Sequence, residues 1–198
     1  MARYGKEHKE ATRQRIVEAA GRRFKQDGID GSGISTLMAD AGLTNGAFYA
    51  HFASKDDLVA SVVAHELQSQ AANAAQLPGG RAGIEAFLRA YLSPEHRDNA
   101  AEGCPAAALL DELGRCSRPA KQAVADGADT ILGAIAERLD PDDPSSARGA
   151  AVGLYALLIG TLQISRAVPD RRLADEILGQ GVESALVLLG SMKEAARD

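Results

Sequence analysis

The side chains with the clearest potential for chemistry lie in one short segment, residues 44–55. At about 100° per residue on a helix, Phe48 and Phe52 share one side. Tyr49 and His51 lie on the two flanks of that helix, well over a right angle apart. A phenol and an imidazole in these positions can donate hydrogen bonds to phosphates on opposite walls of a DNA groove. The pattern therefore predicts a helix that buries its phenylalanines and contacts the phosphates of DNA with its flanking side chains.

The side of this helix opposite the phenylalanines carries small residues, which let a helix approach base edges closely in a major groove. Polar residues stand at its N-terminus, where backbone N–H groups point outward, and a lysine follows its end. The alternative is a small amphipathic helix packed inside a bundle, which would give the two flanking side chains no particular role. The DNA-contact candidates of this segment are Thr44, Asn45, Gly46, Ala47, Tyr49, His51 and Lys55.

The segment belongs to a predicted helix-turn-helix. Helices at about 34–41 and 45–52 are separated by Gly42-Leu43-Thr44, which are the proportions of that motif. A preceding helix over residues 8–27 places apolar residues four apart on one face and ends at a glycine. Residues 1–55 hold nine basic and six acidic side chains, a charge of +3, although the whole chain carries −5. We call residues 1–55 the head and the remainder of the chain the body. A basic head on an acidic body is consistent with a head that binds DNA.

The rest of the chain is also predicted to be helical, because no strict alternation of apolar and polar residues persists. Ser54, with Asp57 three residues on, is a capping box that begins a long helix to about residue 75. Leu77-Pro78-Gly79-Gly80 interrupts the chain. Further helices are expected near 82–93, 104–115, 118–139, 146–167 and 171–191. The fold class is all-α, with a three-helix DNA-binding domain at 1–53 and a helical ligand-binding and dimerisation domain at 54–198.

The last two helices are too apolar to be solvated on one side. Gly149, Gly153 and Gly160 lie at near-helical spacing, which would allow close approach between helices. A helix-turn-helix needs two half-sites for useful affinity, so we predict a homodimer through 146–191 rather than a monomer core. A cavity for a small apolar molecule is expected between the break and these helices. Its candidate lining is Phe87, Leu88, Tyr91, Cys104, Leu109, Leu110, Leu113, Tyr155, Leu158 and Leu162, although residues of these types are more often plain core than ligand contacts.

Residues 12–67 resemble the TetR family of bacterial repressors, above all in Phe48-Tyr49-Ala50-His51-Phe52-Ala53-Ser54-Lys55-Asp56-Asp57-Leu58. The resemblance implies DNA contacts from Thr44, Asn45, Tyr49, His51 and Lys55, and a dimer formed by a four-helix bundle. Gly33 stands where the family commonly places a phosphate-contacting Ser or Thr, so Ser35 or Thr36 is expected to serve instead. The predicted function is a ligand-responsive regulator, taken as a repressor, that binds a palindromic operator and is released or altered by an apolar effector.

Gly103-Cys104-Pro105 is typical of a helix start, with Cys104 as the cap. The positive end of the helix dipole would stabilise a thiolate there. The subgroup of the family that resembles this stretch includes sensors of electrophiles and oxidants, so Cys104 is a candidate reactive sensor. The alternative is an inert, buried thiol.

Enzyme chemistry is hard to find in the sequence. The four histidines are far apart and lack the short spacings of metal ligands, and neither a phosphate-binding glycine loop nor a nucleophile motif is present. We therefore predict no catalytic residue, metal or cofactor. A purely structural bundle would not explain the polarised charge. The polar N-terminus and the lack of a long apolar run predict a cytoplasmic protein without a membrane span.

Overall fold

The structure, a computed structural model, describes residues 2–78 and 80–195, and within these ranges all regular structure is helical. This confirms the predicted all-α class. The α-helices are α1 (Ala2–Asp27), α2 (Ile34–Asp40), α3 (Lys55–Ala75), α4 (Gly80–Tyr91), α5 (Pro94–Asp98), α6 (Pro105–Leu113), α7 (Arg118–Leu139), α8 (Pro144–Ala167) and α9 (Arg171–Ala195). Two short 3-10 helices lie at Asn45–Ala50 and Ala100–Glu102.

Several element boundaries differ from those expected. Helix α1 begins at Ala2 rather than near residue 8, because its polar first turns contain good helix formers although they lack apolar periodicity. The second element of the helix-turn-helix is a 3-10 helix over Asn45–Ala50, not an α-helix over 45–52. Helix α5 was not expected; it starts because the Ser93 hydroxyl accepts a hydrogen bond from the His96 N–H (3.2 Å) and Pro94 occupies its first position.

In the N-terminal head, α1, α2, the 3-10 helix and the start of α3 all contribute to the hydrophobic core, which continues into the body. The side chains buried there include Ile16, Phe24, Leu37, Phe48, Phe52 and Leu58. Gly28 (φ 80°) and Gly42 (φ 67°) end α1 and α2 in the left-handed conformation that glycine tolerates best. The predicted stops of both helices are therefore confirmed.

Helix α3 joins this head to the body. The Ser54 hydroxyl accepts from the Asp57 N–H at 3.2 Å, and the Asp57 carboxylate accepts from the Ala53 N–H at 3.0 Å. This start closely resembles the predicted capping box. The difference is that the Asp57 carboxylate accepts from the N–H of Ala53, the residue before the cap, rather than from the N–H of Ser54. Leu58 packs in the head, whereas Leu67 and Ala71 further along α3 are buried in the body. Helix α3 therefore contributes to the hydrophobic core in both the head and the body.

Helices α3 and α7 pack with their backbones close together. A Cβ atom added at Gly127 would lie 2.5 Å from the Leu67 Cβ and 2.7 Å from its Cδ1. Real Cβ atoms do not approach carbon this closely, so glycine is required for this crossing. Gly133, two turns further along α7, has no atom within 4 Å of an added Cβ.

Helix α8 packs between α7 and α9 in the body. Its most apolar 18-residue stretch has a mean hydropathy of 1.4, so by length and composition the helix could cross a membrane. A core helix of a soluble protein can have the same length and hydropathy. One third of that stretch is buried inside the chain, which leaves apolar surface on its outer side.

We expect Gly127→Ala to lower the free energy of unfolding by about 1–3 kcal/mol, because the new methyl must push α3 and α7 apart. The control is Gly133→Ala, which should raise it by roughly 0.5–1 kcal/mol because alanine favours a helix and nothing opposes its methyl. Urea denaturation followed by circular dichroism measures both. A Gly127→Ala protein as stable as Gly133→Ala would contradict the tight crossing.

Candidate nucleic-acid interface and cavities

The 3-10 helix Asn45–Ala50 is anchored to the head by two aromatic rings. Phe48 and Phe52 are fully or nearly fully buried, with their centroids 5.7 Å apart. Tyr49 lies between them in sequence but is 71% exposed, and its ring meets Phe48 edge-on at 5.1 Å. The arrangement combines a fixed backbone with a phenol that projects into solvent, which suits recognition of an external partner.

The other candidate DNA contacts divide by exposure. Six predicted residues are exposed: Ser35, Thr36, Thr44, Asn45, Gly46 and Tyr49. Three are half-buried: Ala47, His51 and Lys55. Ala47 packs against the head core rather than on the outer side, because the tighter 3-10 turn does not follow the 100° spacing of an α-helix.

His51 is half-buried and lies between the hydrophobic core of the head and the exposed surface that carries Tyr49. Its Nδ1 is buried and has no hydrogen-bond partner. Burial lowers the pKa of His51, and the positive charges of Lys9 and Arg13 lower it further. A neutral ring keeps one N–H, so His51 can donate one hydrogen bond to a phosphate without contributing a charge.

The sequence analysis missed a basic strip on α1 that approaches His51. Arg13 lies over the Phe52 ring, 4.7 Å from its centroid, and donates to the Ser61 hydroxyl at 2.7 Å. Lys9 lies one turn earlier on α1 and is exposed. The i, i+4 spacing of these two cations was the available signal.

Three basic side chains of the head have hydrogen-bond partners within the protein. Arg23 makes two hydrogen bonds to Asp40 (2.8 and 3.0 Å) and one to Asp27. Lys25 Nζ lies 2.7 Å from a Glu66 carboxylate oxygen. Lys55, a predicted DNA contact, donates to the Ile29 carbonyl at 2.5 Å. These three side chains already have partners within the protein, whereas the exposed cations of the head include Lys9, Arg15 and Arg22.

The body contains two cavities in the region where one was expected. Cavity A, of about 370 Å³, is almost entirely apolar and lies between α3, α6, α7 and α8. Its lining includes the predicted Leu109, Leu110, Leu113 and Tyr155. Cavity B, of about 420 Å³, is more polar and lies among α3, α4, α6, α7 and α8. Its lining includes the predicted Phe87, Tyr91, Cys104, Tyr155 and Leu158. Leu88 and Leu162 are fully buried in the core and line neither cavity.

Cys104 caps the start of α6, as expected, and lies at the wall of cavity B. It is buried, and its Sγ accepts a hydrogen bond from Gln70 Nε2 at 2.9 Å. Its backbone N–H donates to His96 Nε2 (3.1 Å), while His96 Nδ1 lies 2.7 Å from the Tyr91 carbonyl and must donate to it. His96 is therefore held as a neutral ring, in agreement with a pKa that burial lowers. Cys104 and Cys116 are free thiols, and the reactivity of Cys104 stays a prediction.

Among the described residues, no group of three or more His, Cys, Asp or Glu side chains is arranged to hold a metal ion. The features that do suggest binding are the exposed Tyr49 face and the two cavities.

Comparisons with known proteins agree with this arrangement. A family model described as "Bacterial regulatory proteins, tetR family" matches residues 16–62, which include the whole helix-turn-helix. The HTH-type transcriptional regulator AcrR of Shigella flexneri is 39% identical over 62 residues, which are 31% of this chain and 29% of that protein. TtgR of Pseudomonas putida, another HTH-type transcriptional regulator, is 36% identical over 78 residues, 38% of this chain and 37% of that protein. The chain thus matches about a third of the length of these curated relatives.

The likeness to solved structures extends over most of the chain. The reduced form of E. coli NemR has a TM-score of 0.75 at 20% identity, covering 88% of this chain and 95% of that one. A TetR-family transcriptional regulator from Agrobacterium tumefaciens has a TM-score of 0.69 at 19% identity, covering 89% and 98%. Identities this low show a shared fold. Residues 16–62 thus match the tetR family of bacterial regulatory proteins, and the chain as a whole shares the fold of these solved transcriptional regulators.

Proposed function

We propose that this protein is a ligand-responsive transcriptional regulator that binds a palindromic operator as a homodimer in the cytoplasm. It acts as a repressor, and a small apolar effector releases it from DNA. The observation that carries the proposal is the exposed Tyr49 on a segment fixed by Phe48 and Phe52. The curated relatives are HTH-type transcriptional regulators, not enzymes.

DNA binding uses the face formed by the start of α2, the 3-10 helix and the strip on α1. Ser35, Thr36, Thr44 and Asn45 are exposed there and can donate to phosphates or bases. Tyr49 and His51 flank them, and Lys9 adds a positive charge at the edge. A phosphate close to Lys55 would have to compete with the Ile29 carbonyl for its ammonium group.

Dimerisation is supported by the apolar surface of the last two helices. Besides Tyr49 and Leu110, the large exposed apolar side chains of the described residues lie on α8 and α9: Val152, Ile164, Leu173 and Val187. An added Cβ at Gly149 would meet no atom within 4 Å, so this glycine leaves room for a neighbouring helix, whereas the equally open Gly160 lines cavity A. Gly153 instead faces Leu188 of the same chain, at 3.4 Å. A second copy that covers this surface would place two recognition helices on one DNA duplex.

Two connections link the cavities to the DNA-binding head. Helix α3 lines both cavities and begins directly after the helix-turn-helix. Helix α6 begins at Cys104 beside cavity B, and near its other end a Glu112 carboxylate oxygen accepts from the backbone N–H groups of Ile29 (2.9 Å) and Asp30 (3.2 Å). A ligand that binds one position of α3 or α6 better than another would thereby shift the head. This shift alters the spacing of the two recognition helices, which must be roughly 34–36 Å to reach successive major grooves.

We expect Tyr49→Phe and His51→Ala each to weaken binding to the DNA upstream of the protein's own gene by roughly 0.5–1.5 kcal/mol. Each change removes one phosphate hydrogen bond. A titration at fixed salt, followed by fluorescence anisotropy of labelled duplex, measures the loss. Tyr155→Phe, which removes a hydroxyl from the body, should bind like the wild type in the absence of ligand. Unchanged affinity of both head variants would remove these residues from the interface.

We expect Val187→Asp to weaken the dimer at least about tenfold, because it buries a carboxylate in an apolar interface. Val187 is 72% exposed in the single chain, so the change should leave the protomer folded. Sedimentation velocity at micromolar concentration measures the association. Ala125→Asp, at an exposed position on α7, serves as the control and should dimerise normally. A wild-type protein that sediments as a monomer would refute the proposed homodimer.

We expect Glu112→Gln to increase hydrogen exchange at the Ile29 and Asp30 amides about tenfold, because a neutral amide oxygen is a weaker acceptor than a carboxylate. Asp111→Asn is the matched control, since that neighbouring carboxylate is exposed and pairs with Arg115. Exchange measured by NMR distinguishes the two variants. Equal protection in both would mean that α6 does not hold the loop after α1.

A further inference from the structure

Cavity A is open at the surface of the single chain. Its lining includes Leu110 on α6 and Val152 on α8, whose side chains are 40% and 49% exposed. Ala156, about one turn beyond Val152, is also exposed and lines the same cavity. We call these three residues the mouth of cavity A. Large apolar side chains are therefore in contact with water where the cavity meets the surface.

The interior of cavity A suits an uncharged, apolar molecule. Of the lining side chains that the structure describes, only Glu66, Tyr155 and Gln163 carry polar atoms, and Glu66 already pairs with Lys25 Nζ at 2.7 Å. A charged occupant would meet no unpaired counterion among these side chains. An apolar occupant gains free energy in proportion to the surface that it removes from water, and at the open mouth that gain is incomplete.

The mouth of cavity A lies within the surface of α8 that supports dimerisation. Val152 belongs to both. Gly149 lies about one turn before it and Ile164 about three turns after it, and both are exposed. At about 100° per residue, Ala156 falls between Val152 and Ile164 around the helix as well as along it. A neighbour that covers Val152 and Ile164 therefore also covers Ala156, and with it the mouth.

The size of the surface fits a second copy of the chain. Helices α8 and α9 have 24 and 25 residues and pack against each other. Helices of this length are about 36 Å long and about 10 Å wide, so the pair presents an outer surface on the order of 700 Å². A dimer interface of standard size buries roughly 800 Å² on each protomer. Apolar side chains occur along both helices, at Val152, Ile164, Leu173 and Val187.

We infer that a second copy of the chain closes the mouth of cavity A, so that the site for an apolar effector is complete only in the dimer. The inference rests on the proposed function and deepens it, because it assigns the effector to cavity A and couples its binding to the association of protomers. The closed site removes more of the ligand surface from water, so the dimer binds the ligand more tightly than the monomer does. Linkage then requires the ligand to strengthen the dimer in return.

The test uses propylbenzene, an uncharged hydrocarbon, and the full-length protein without DNA. Isothermal titration calorimetry should show at least about tenfold tighter binding to the wild-type dimer than to monomeric Val187→Asp. Val187 lines neither cavity, so its substitution affects the ligand only through the dimer. Ala125→Asp, at an exposed position on α7, is the matched control and should bind propylbenzene like the wild type.

A second pair of variants assigns the binding to cavity A. Ala128 lines cavity A from α7 rather than at the mouth. In Ala128→Leu the larger side chain occupies part of the cavity volume and should weaken propylbenzene binding at least about tenfold. Ser69→Leu places the same side chain beside cavity B and should leave the binding unchanged.

Sedimentation velocity of the wild-type protein supplies an independent measurement of the coupling. Saturating propylbenzene should lower the dissociation constant of the dimer at least about tenfold, because the ligand favours the state that binds it more tightly. This measurement needs no variant, so it does not depend on whether Val187→Asp folds or dissociates.

Equal affinity of propylbenzene for the wild-type dimer and for monomeric Val187→Asp would overturn the inference, as would a dimer dissociation constant that propylbenzene leaves unchanged. Either result would leave the proposed homodimer standing. The absence of saturable binding, or binding that is unchanged in Ala128→Leu, would remove the effector from cavity A. A wild-type protein that stays monomeric with and without propylbenzene would instead contradict the homodimer of the proposed function itself.

Discussion

The close packing of α3 against α7 is the constraint on which the rest of the structure depends. Gly127 allows Leu67 to lie directly against the backbone of α7, and this contact fixes α3 in the body. The opposite end of α3 carries Leu58 into the core of the head. Since a helix transmits displacement along its length, the head cannot change its orientation without some response from α3.

Helix α6 adds a second, polar connection between the same two regions. Its first N–H groups lie beside cavity B, where Cys104 donates to His96, and Glu112 near its end holds the backbone after α1. A Cβ at Gly28 would lie 2.7 Å from the Glu112 carboxylate, so the left-handed glycine both ends α1 and leaves room for this contact. Together, α3 and α6 form two routes by which an occupied cavity can favour one position of the head over another.

Local hydrogen-bonding groups, rather than net charge, characterise the surface proposed to face DNA. Arg23 and Lys25 pair with carboxylates and Lys55 donates to a backbone carbonyl, so the donors of these three side chains are engaged within the protein. The exposed Tyr49 and the neutral His51 offer hydrogen bonds instead of charge. Recognition by such a face depends on geometry, which the buried Phe48 and Phe52 provide.

The sequence by itself determined the features that depend on neighbours along the chain. The helical class, the stops at Gly28 and Gly42, and the start of α3 at Ser54 follow from local propensity and capping. The burial of Phe48 and Phe52 was also predicted from their spacing of four, although Phe52 follows the end of the 3-10 helix and does not share a helix with Phe48.

Tertiary structure decided what depends on residues far apart in sequence. Packing around the core of the head sets the 3-10 geometry that turns Ala47 inward. It also sets the hydrogen bond from the Lys55 ammonium to the Ile29 carbonyl. Likewise, the division of one expected pocket into two cavities arises where separate helices meet. No periodicity encodes these outcomes, because burial and hydrogen-bond partners across 20 or more positions are fixed only when the helices pack.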